Sequence, residues 1–290
     1  KDMRSIEEKD LEGAYAICHL AGLSNDPMGA LNDNLTLEIN HKASLEIAKS
    51  CKKVGVEKYI FSSSCSMYGI ADGSIALDET SDFAPVTAYA ISKVETEKAV
   101  QDLKDDNFCV TFLRNATAYG LSPKLRLDLV VNNLVGWATV HNKIKIMSDG
   151  SPWRPLVHCE DIARAFVAVV ESETKVINGQ AYNVGQVNEN FQIKDIAKIV
   201  GEVISGCTVE ITGEHGADSR SYKVDFNKIK NSLPNFKPKW KLQEAIEDIY
   251  RGYKNFGMDD KQFKGREFIR LNQIQHLLEN RKLNNDLKWK

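Results

Sequence analysis

The chain reads as an α/β protein with a largely parallel sheet. Two observations predict this. Short apolar runs of strand length are separated by longer segments whose apolar residues fall at helical spacing, and the two kinds alternate instead of clustering. Residues 14–20 are an expected strand ending at Ala21-Gly22. Residues 35–54 carry Ile39, Ala43, Leu45, Ile47 and Ala48 on one helical face, closed by Gly55. A strand over 58–62, a helix over 86–103 and a strand over 109–114 follow. After Gly120 a loop leads to a helix over 127–140, a strand over 143–147 and a turn over 149–152. A helix over 161–170 and a buried strand over 181–184 complete that part. Residues 187–222 read as an appendage with a helix over 193–204 and an extended stretch over 208–211, and 242–256 as a further helix.

Composition bounds the function. The 290 residues carry 38 basic and 40 acidic side chains, a formal charge of −2, which gives no electrostatic attraction for nucleic acid or an anionic membrane. No apolar run approaches the ~20 residues of a membrane span, and no signal peptide is visible. The six cysteines form no Cys-x-x-Cys and no metal cluster, as expected of a reducing, cytoplasmic setting. Residues 258–290 form a distinct basic tail in which Phe268, Leu271, Ile274, Leu277 and Leu278 make an amphipathic stripe. Packing on its own domain or on a second subunit is the expected use of that stripe, with a lipid or regulatory role as the alternative.

One constellation carries chemistry. Tyr89 and Lys93 lie four apart, on one face of the expected helix. Ser64 precedes Tyr89 by 25 residues, at the end of a serine-rich strand. An ammonium beside a phenol favours the phenolate and lowers a pKa that starts near ~10, and a serine hydroxyl can share the substrate's proton. Tyr250 and Lys254 have the same spacing but follow no such strand, and read as surface helix.

In these residues the chain resembles the extended short-chain dehydrogenase/reductase family, in its NAD-dependent epimerase/dehydratase group acting on nucleotide sugars. The resemblance runs from Asp2 to about Tyr253 through His19-Leu20-Ala21-Gly22, Asn40, Phe61-Ser62-Ser63-Ser64 with Tyr68-Gly69, Tyr89-x-x-x-Lys93, Leu113-Arg114-Asn115, Asn132-Asn133-Leu134, Arg154 with Val157-His158 and Asp161, Asn183-Val184-Gly185, and Arg220. It implies a doubly wound Rossmann sheet (1–120 and 155–186) with a smaller substrate domain (121–154 and 187–257). A ligand crevice is expected at the carboxyl edge of that sheet. Ser64, Tyr89 and Lys93 are then the catalytic residues. Asp2, Met3, Leu20, Ala21, Gly22, Asn40, Ser62, Tyr89 and Lys93 hold the cofactor, which is NAD, with NADP left open. The substrate's contacts are Ser64, Cys65, Ser66, Asn115, Thr117, Asn133, Leu134, Arg154 and Arg220, the two arginines clamping its diphosphate. Thr117 stands where many relatives have Asn. Arg126 and Asp128, in the loop at the pocket mouth, are further candidates. His19 and His158 read as structural histidines, and Cys65 as a buried residue with a substrate-facing thiol as the alternative. A homodimer is the implied assembly.

The chain departs from the pattern at its start. The turn Gly-x-x-Gly-x-x-Gly, which seats a pyrophosphate on a helix N-terminus, is not found among the 18 glycines. At roughly 30 residues per βαβ unit, about 50 or more residues are expected to be missing upstream of Lys1. The acidic residue that separates NAD from NADP would go with them.

The resemblance implies oxidation at the sugar's C4, with Tyr89 removing the hydroxyl proton. Relatives that go on to eliminate water carry Asp and Glu where this chain has Cys65 and Ser66. Those that go on to 3,5-epimerisation carry Cys at the position of Ser66. The expectation is therefore 4-epimerisation. A 4-keto-sugar reductase is the alternative enzyme, and a truncated, inactive sugar-nucleotide-binding domain the alternative of another class.

Overall fold

A computed structural model describes residues 1–71, 73–213 and 220–290. Strand β1 (Ala16–His19) is followed by α1 (Asp26–Gly29) and α2 (Asp33–Leu37), each started by an asparagine side chain that accepts a backbone N–H. α2 runs through one π-helical turn, Glu38–Lys42, into α3 (Ala43–Lys53). The sequence predicts an unbroken helix here. The wide turn centres on buried Asn40, whose carbonyl accepts from the hydroxyls of Ser44 (2.8 Å) and Thr96 (3.1 Å) in place of the helical pattern.

Strand β2 (Lys58–Ser64) shows why a parallel sheet forms. Tyr59 and Phe61 face one hydrophobic cluster and Ile60 the opposite one, so the strand is apolar on both faces. Full burial of a side chain such as Phe61 contributes roughly 1.5–3 kcal/mol. After β3 (Ala76–Leu77), helix α4 (Ala88–Gln101) begins where the Thr87 hydroxyl accepts from Ala90 N at 3.1 Å. Strand β4 (Cys109–Asn115) repeats the pattern of β2, with Val110 and Phe112 on one face and Cys109 and Leu113 on the other. β5 (Thr117–Tyr119), α5 (Val130–His141) and β6 (Lys143–Ile146) lead to β7 (Trp153–His158), a strand absent from the sequence reading. Pro155 and the charged Arg154 hide its period-2 signal.

Helix α6 (Cys159–Glu171) is capped by His158, whose ring accepts from Glu160 N at 3.2 Å. Then come α7 (Thr174–Ile177), β8 (Gln180–Val184), β9 (Asn190–Gln192), α8 (Ile193–Val203) and β10 (Thr208–Ile211). The expected appendage over 187–222 includes 214–219, which lie outside the described residues. The chain closes with β11 (Lys223–Val224), α9 (Asn227–Ser232), α10 (Leu242–Phe256), α11 (Asp260–Lys264) and α12 (Arg270–Glu279).

Among the described residues the main sheet has the order β1-β2-β4-β8, all parallel, and its register sets Ser64 beside Asn115 and Asn115 beside Val184. The carboxyl ends of these strands therefore lie along one edge, where a doubly wound Rossmann sheet places its ligand crevice. Smaller pairings β5-β7-β9, β10-β6 and β11-β3 stand around it. A second core joins α5, β6, α8 and α10, and the tail enters it through Phe263, whose ring lies where a side chain at Gly136 would need to be. No helix of the described residues is long and apolar enough to cross a membrane.

Candidate active site

The Ser64 hydroxyl caps the 3₁₀ turn Cys65–Tyr68, accepting from Ser66 N at 3.2 Å, and it lies close enough to the Tyr89 phenol to lower its pKa. Helix α1 lies directly against Tyr89, because a Cβ on Gly29 would come within 3.2 Å of the tyrosine's own. Lys93 is buried one turn further along α4. Its ammonium donates to the Ser62 carbonyl at 2.7 Å and sits 4.5 Å from the Phe61 ring centroid and 5.6 Å from that of Tyr89. Ser64, Tyr89 and Lys93 are thus brought together at the end of β2.

The electrostatics differ from the sequence expectation. Burial pushes the Tyr89 phenol above its usual pKa. The Ser64 hydroxyl opposes that shift most, Asp26 reinforces it, and Arg126 and Arg220 pull it down. Lys93 is spent on the Ser62 carbonyl, and burial lowers its own pKa from 10.5 to about 8 against the pull of Glu97. The ammonium alone therefore does not make the phenol acidic.

Behind the pair runs a buried network that the sequence reading missed. Glu97, one turn after Lys93 on α4, holds Arg114 of β4 through contacts of 2.7 and 3.1 Å. Arg114 also donates to Tyr68 Oη (3.1 Å) and the Glu79 carbonyl (3.0 Å), and the Tyr68 hydroxyl donates to Asn183 Oδ1 at 2.8 Å. The i+4 spacing of Lys93 and Glu97 was the available signal.

The expected cofactor wall is partly where it was placed. Leu20, Ala21 and Gly22 are exposed at the end of β1. Gly22 has φ 151° and Asn40 Oδ1 2.8 Å from where a Cβ would sit, so only glycine fits. Asn40 acts from behind that wall: its amide accepts from Leu23 N (2.7 Å) and donates to Leu23 O (3.0 Å), fixing the loop rather than facing the crevice. Asn115 donates to the Ser62 hydroxyl at 3.0 Å. Asp2 caps the first turn and pairs with Arg4 at 2.6 Å, and Met3 packs half-buried against the core. His19 is buried, bonded to the Ser44 hydroxyl at 3.0 Å, and held neutral with its pKa lowered to about 4.

On the substrate side one expectation is corrected. Cys65 is fully buried and its thiol donates to the Arg114 carbonyl, so it faces the core and not the crevice. Two others have buried side chains. The Ser66 side chain is buried, and that of Leu134 belongs to the second core, which leaves its backbone for contact. Asn133 donates to Leu127 O at 3.0 Å. Thr117 is half-buried at the start of β5. Arg154 is buried and donates to the Trp153 and Arg220 carbonyls, so it braces Arg220. Arg220 reaches Asp26 Oδ2 at 2.6 Å, and Asp26 also accepts from Thr87 Oγ1 at 2.5 Å. Arg126 and Asp128 form a two-point pair at 2.7 and 3.0 Å, joined by Asn25. Asp26 was the residue that sequence reasoning could not find, since its partner lies far along the chain.

The nicotinamide-ribose end of a dinucleotide fits the residues present. Lys93 supplies the donor at the strand end, Ser62 and Asn115 supply polar neighbours, and Ala21 and Gly22 leave room beside β1. Sheet and constellation together place the chain in the extended short-chain dehydrogenase/reductase class. Within that class, residues 4–185 match the model of the NAD dependent epimerase/dehydratase family, and the chain belongs to it. It is similar to the UDP-glucose 4-epimerase of Bacillus subtilis (strain 168), 25% identical over 261 residues that cover 81% of this chain and 74% of the relative. The UDP-glucuronate 4-epimerase of Thermodesulfobacterium geofontis (strain OPF15) is 25% identical over 234 residues, 80% of this chain and 70% of its own. Among solved structures, the UDP-glucuronic acid 4-epimerase of Bacillus cereus, in complex with UDP-glucuronic acid and NAD, superposes with a TM-score of 0.76 at 22% identity. That match covers 88% of this chain and 81% of the neighbour, and at this identity it shows the fold.

Proposed function

We propose that the chain is an NAD-dependent nucleotide-sugar 4-epimerase. One observation carries the reading: Ser64, Tyr89 and Lys93 share the end of β2, while the two positions after Ser64 carry a buried thiol and a buried hydroxyl, with no carboxylate to expel water. The two relatives named as 4-epimerases support it.

Tyr89 accepts the proton of the sugar's 4-hydroxyl, and Ser64, beside the phenol, shares that proton with the substrate oxygen. Lys93 binds the nicotinamide ribose, and the charges of Arg126 and Arg220 favour the phenolate against burial. When bound, NAD supplies a reversible hydride acceptor for the sugar's C4. Ser62, Leu20, Ala21 and Gly22 line the cofactor, Asn40 shapes that wall from behind, and Asp2 and Met3 serve the adenine side. Arg220, braced by Arg154, meets the diphosphate. Asn133 and the Leu134 backbone serve the nucleotide end, and Asn115 and Thr117 the sugar.

The test is product identity. The protein with NAD and UDP-glucose or UDP-glucuronate is followed by proton NMR and by absorbance at the nicotinamide wavelength. A 4-epimer accumulating at constant absorbance is the expected result. Stoichiometric consumption of reduced cofactor would establish the reductase alternative, and a deoxy sugar a dehydratase.

A further inference from the structure

We propose that Arg270, carried by the C-terminal tail, is a substrate-binding residue that grips an anionic group of the nucleotide sugar together with Arg126.

The tail does not hang free of the site. The Phe268 carbonyl accepts from Leu127 N at 3.0 Å, beside Arg126, and Phe268 and Ile269 pack on the second core. Helix α12 then passes α1, the helix that begins with Asp26 and lies against Tyr89. Further on, Arg4 Nη1 donates to the Asp286 carbonyl at 2.7 Å. The tail therefore crosses from the second core, over the mouth of the crevice, to the N-terminal turn.

At the middle of that crossing two guanidinium groups face one another. Arg126 Nη1 and Arg270 Nη1 each lie 3.3 Å from the Ser24 hydroxyl. Among the described residues the mouth holds Arg126, Arg220 and Arg270 against Asp26 and Asp128. Arg220 is paired with Asp26 and Arg126 with Asp128, and Arg270 stands beside the second pair, 3.3 Å from the Ser24 hydroxyl. Arg270 is exposed along its length, yet partial desolvation of its guanidinium and the nearby Arg126 disfavour its charged form, with Asp128 opposing them. Two cations held this close repel, and a doubly bonded anion removes the repulsion. Guanidinium groups suit the paired oxygens of a phosphate or a carboxylate. Arg126 also acts on Tyr89, which sets the subsite against the reacting end of the crevice. The plain alternative is that Arg270 only holds the tail down.

The proposal rests on the function proposed above in one respect, that a nucleotide sugar occupies the crevice at Tyr89. Calorimetric titration of the NAD-saturated protein with UDP, UDP-glucose and UDP-glucuronate tests it in Arg270→Gln, Arg270→Lys and Arg266→Gln. Arg266 is the control, a tail arginine bonded within the tail to Gln273 at 3.1 Å. Arg270→Gln should weaken binding by about tenfold to a hundredfold, the worth of a charged hydrogen bond. Arg270→Lys should recover part of the loss, and Arg266→Gln should change nothing. An equal loss for all three ligands assigns the anion as the diphosphate, and a loss confined to UDP-glucuronate assigns it as the sugar carboxylate. Unchanged affinities, or the same loss in Arg266→Gln, overturn the proposal and leave the 4-epimerase reading standing. A parent protein that binds none of the three overturns both.

Discussion

The floor and the mouth of the crevice are built on opposite principles. On the floor, Glu97, Arg114, Tyr68 and Asn183 are buried and satisfy one another in a continuous chain of hydrogen bonds, and buried Lys93, one turn before Glu97, is held by the Ser62 carbonyl. At the mouth, Asp26 starts α1, Arg126 and Asp128 share one loop, Arg220 comes from another and Arg270 from the tail, and their charges remain partly open to solvent. In low dielectric an unpaired charge is costly, so the floor has one arrangement. The mouth's pairs are only partly buried and are carried by loops, a helix start and the tail, so a charged substrate can compete for them. The difference teaches that the chemistry is anchored by the core, while recognition is left to groups that a ligand can recruit.

The largest effect that tests this contrast is on turnover. Tyr89→Phe keeps the ring in its place against α1 and removes the proton acceptor. It should lower kcat by about 10²–10⁴-fold while nucleotide-sugar affinity persists, and steady-state rates near those of the parent protein would remove Tyr89 from the mechanism. Next comes the floor. Glu97→Ala strands the Arg114 guanidinium in the interior and should cost about 3–5 kcal/mol in a urea titration. A loss below 1 kcal/mol would show that the floor is no more rigid than the mouth.

Lys93 gives the floor a pH signature. Folding lowers its pKa from 10.5 to about 8, so between those values the unfolded chain binds the proton more readily than the native one. This residue's contribution to stability therefore falls as pH drops through that window, by about 3 kcal/mol in all, and stays lost below it. Lys93→Met should abolish that slope, which is read as the difference between the two proteins' stability curves from pH 7 to 11. Parallel curves would mean that burial does not act on the ammonium. The smallest stability effect belongs to the mouth. Arg220→Ala should cost less stability than Glu97→Ala, because Asp26 keeps the Thr87 hydroxyl and part of its solvent, yet raise KM for the nucleotide sugar far more than it weakens NAD. Equal losses would contradict its place at the diphosphate.

Much of the floor could be read from the chain. The apolar run Tyr59-Ile60-Phe61 specifies a strand buried on both faces, and the i,i+4 spacing of Tyr89 and Lys93 specifies a shared helix face, because both signals are local. The strand over 153–158 was not legible, since Arg154 and Pro155 break its pattern. The π turn at Asn40 was also hidden. Its cause lies in hydroxyls from Ser44 and Thr96 and in a loop whose backbone needs that amide.

By itself, then, the sequence determined the parallel sheet, the helix that carries the tyrosine and lysine, and the family to which they belong, for each rests on residues a few positions apart. Only the tertiary structure decided that Cys65 turns inward, that Asp26 meets Arg220, and that Arg270 arrives beside Ser24 across 246 residues of chain. Those encounters depend on how separate elements pack and on which charges burial leaves to find partners, and no local pattern encodes either.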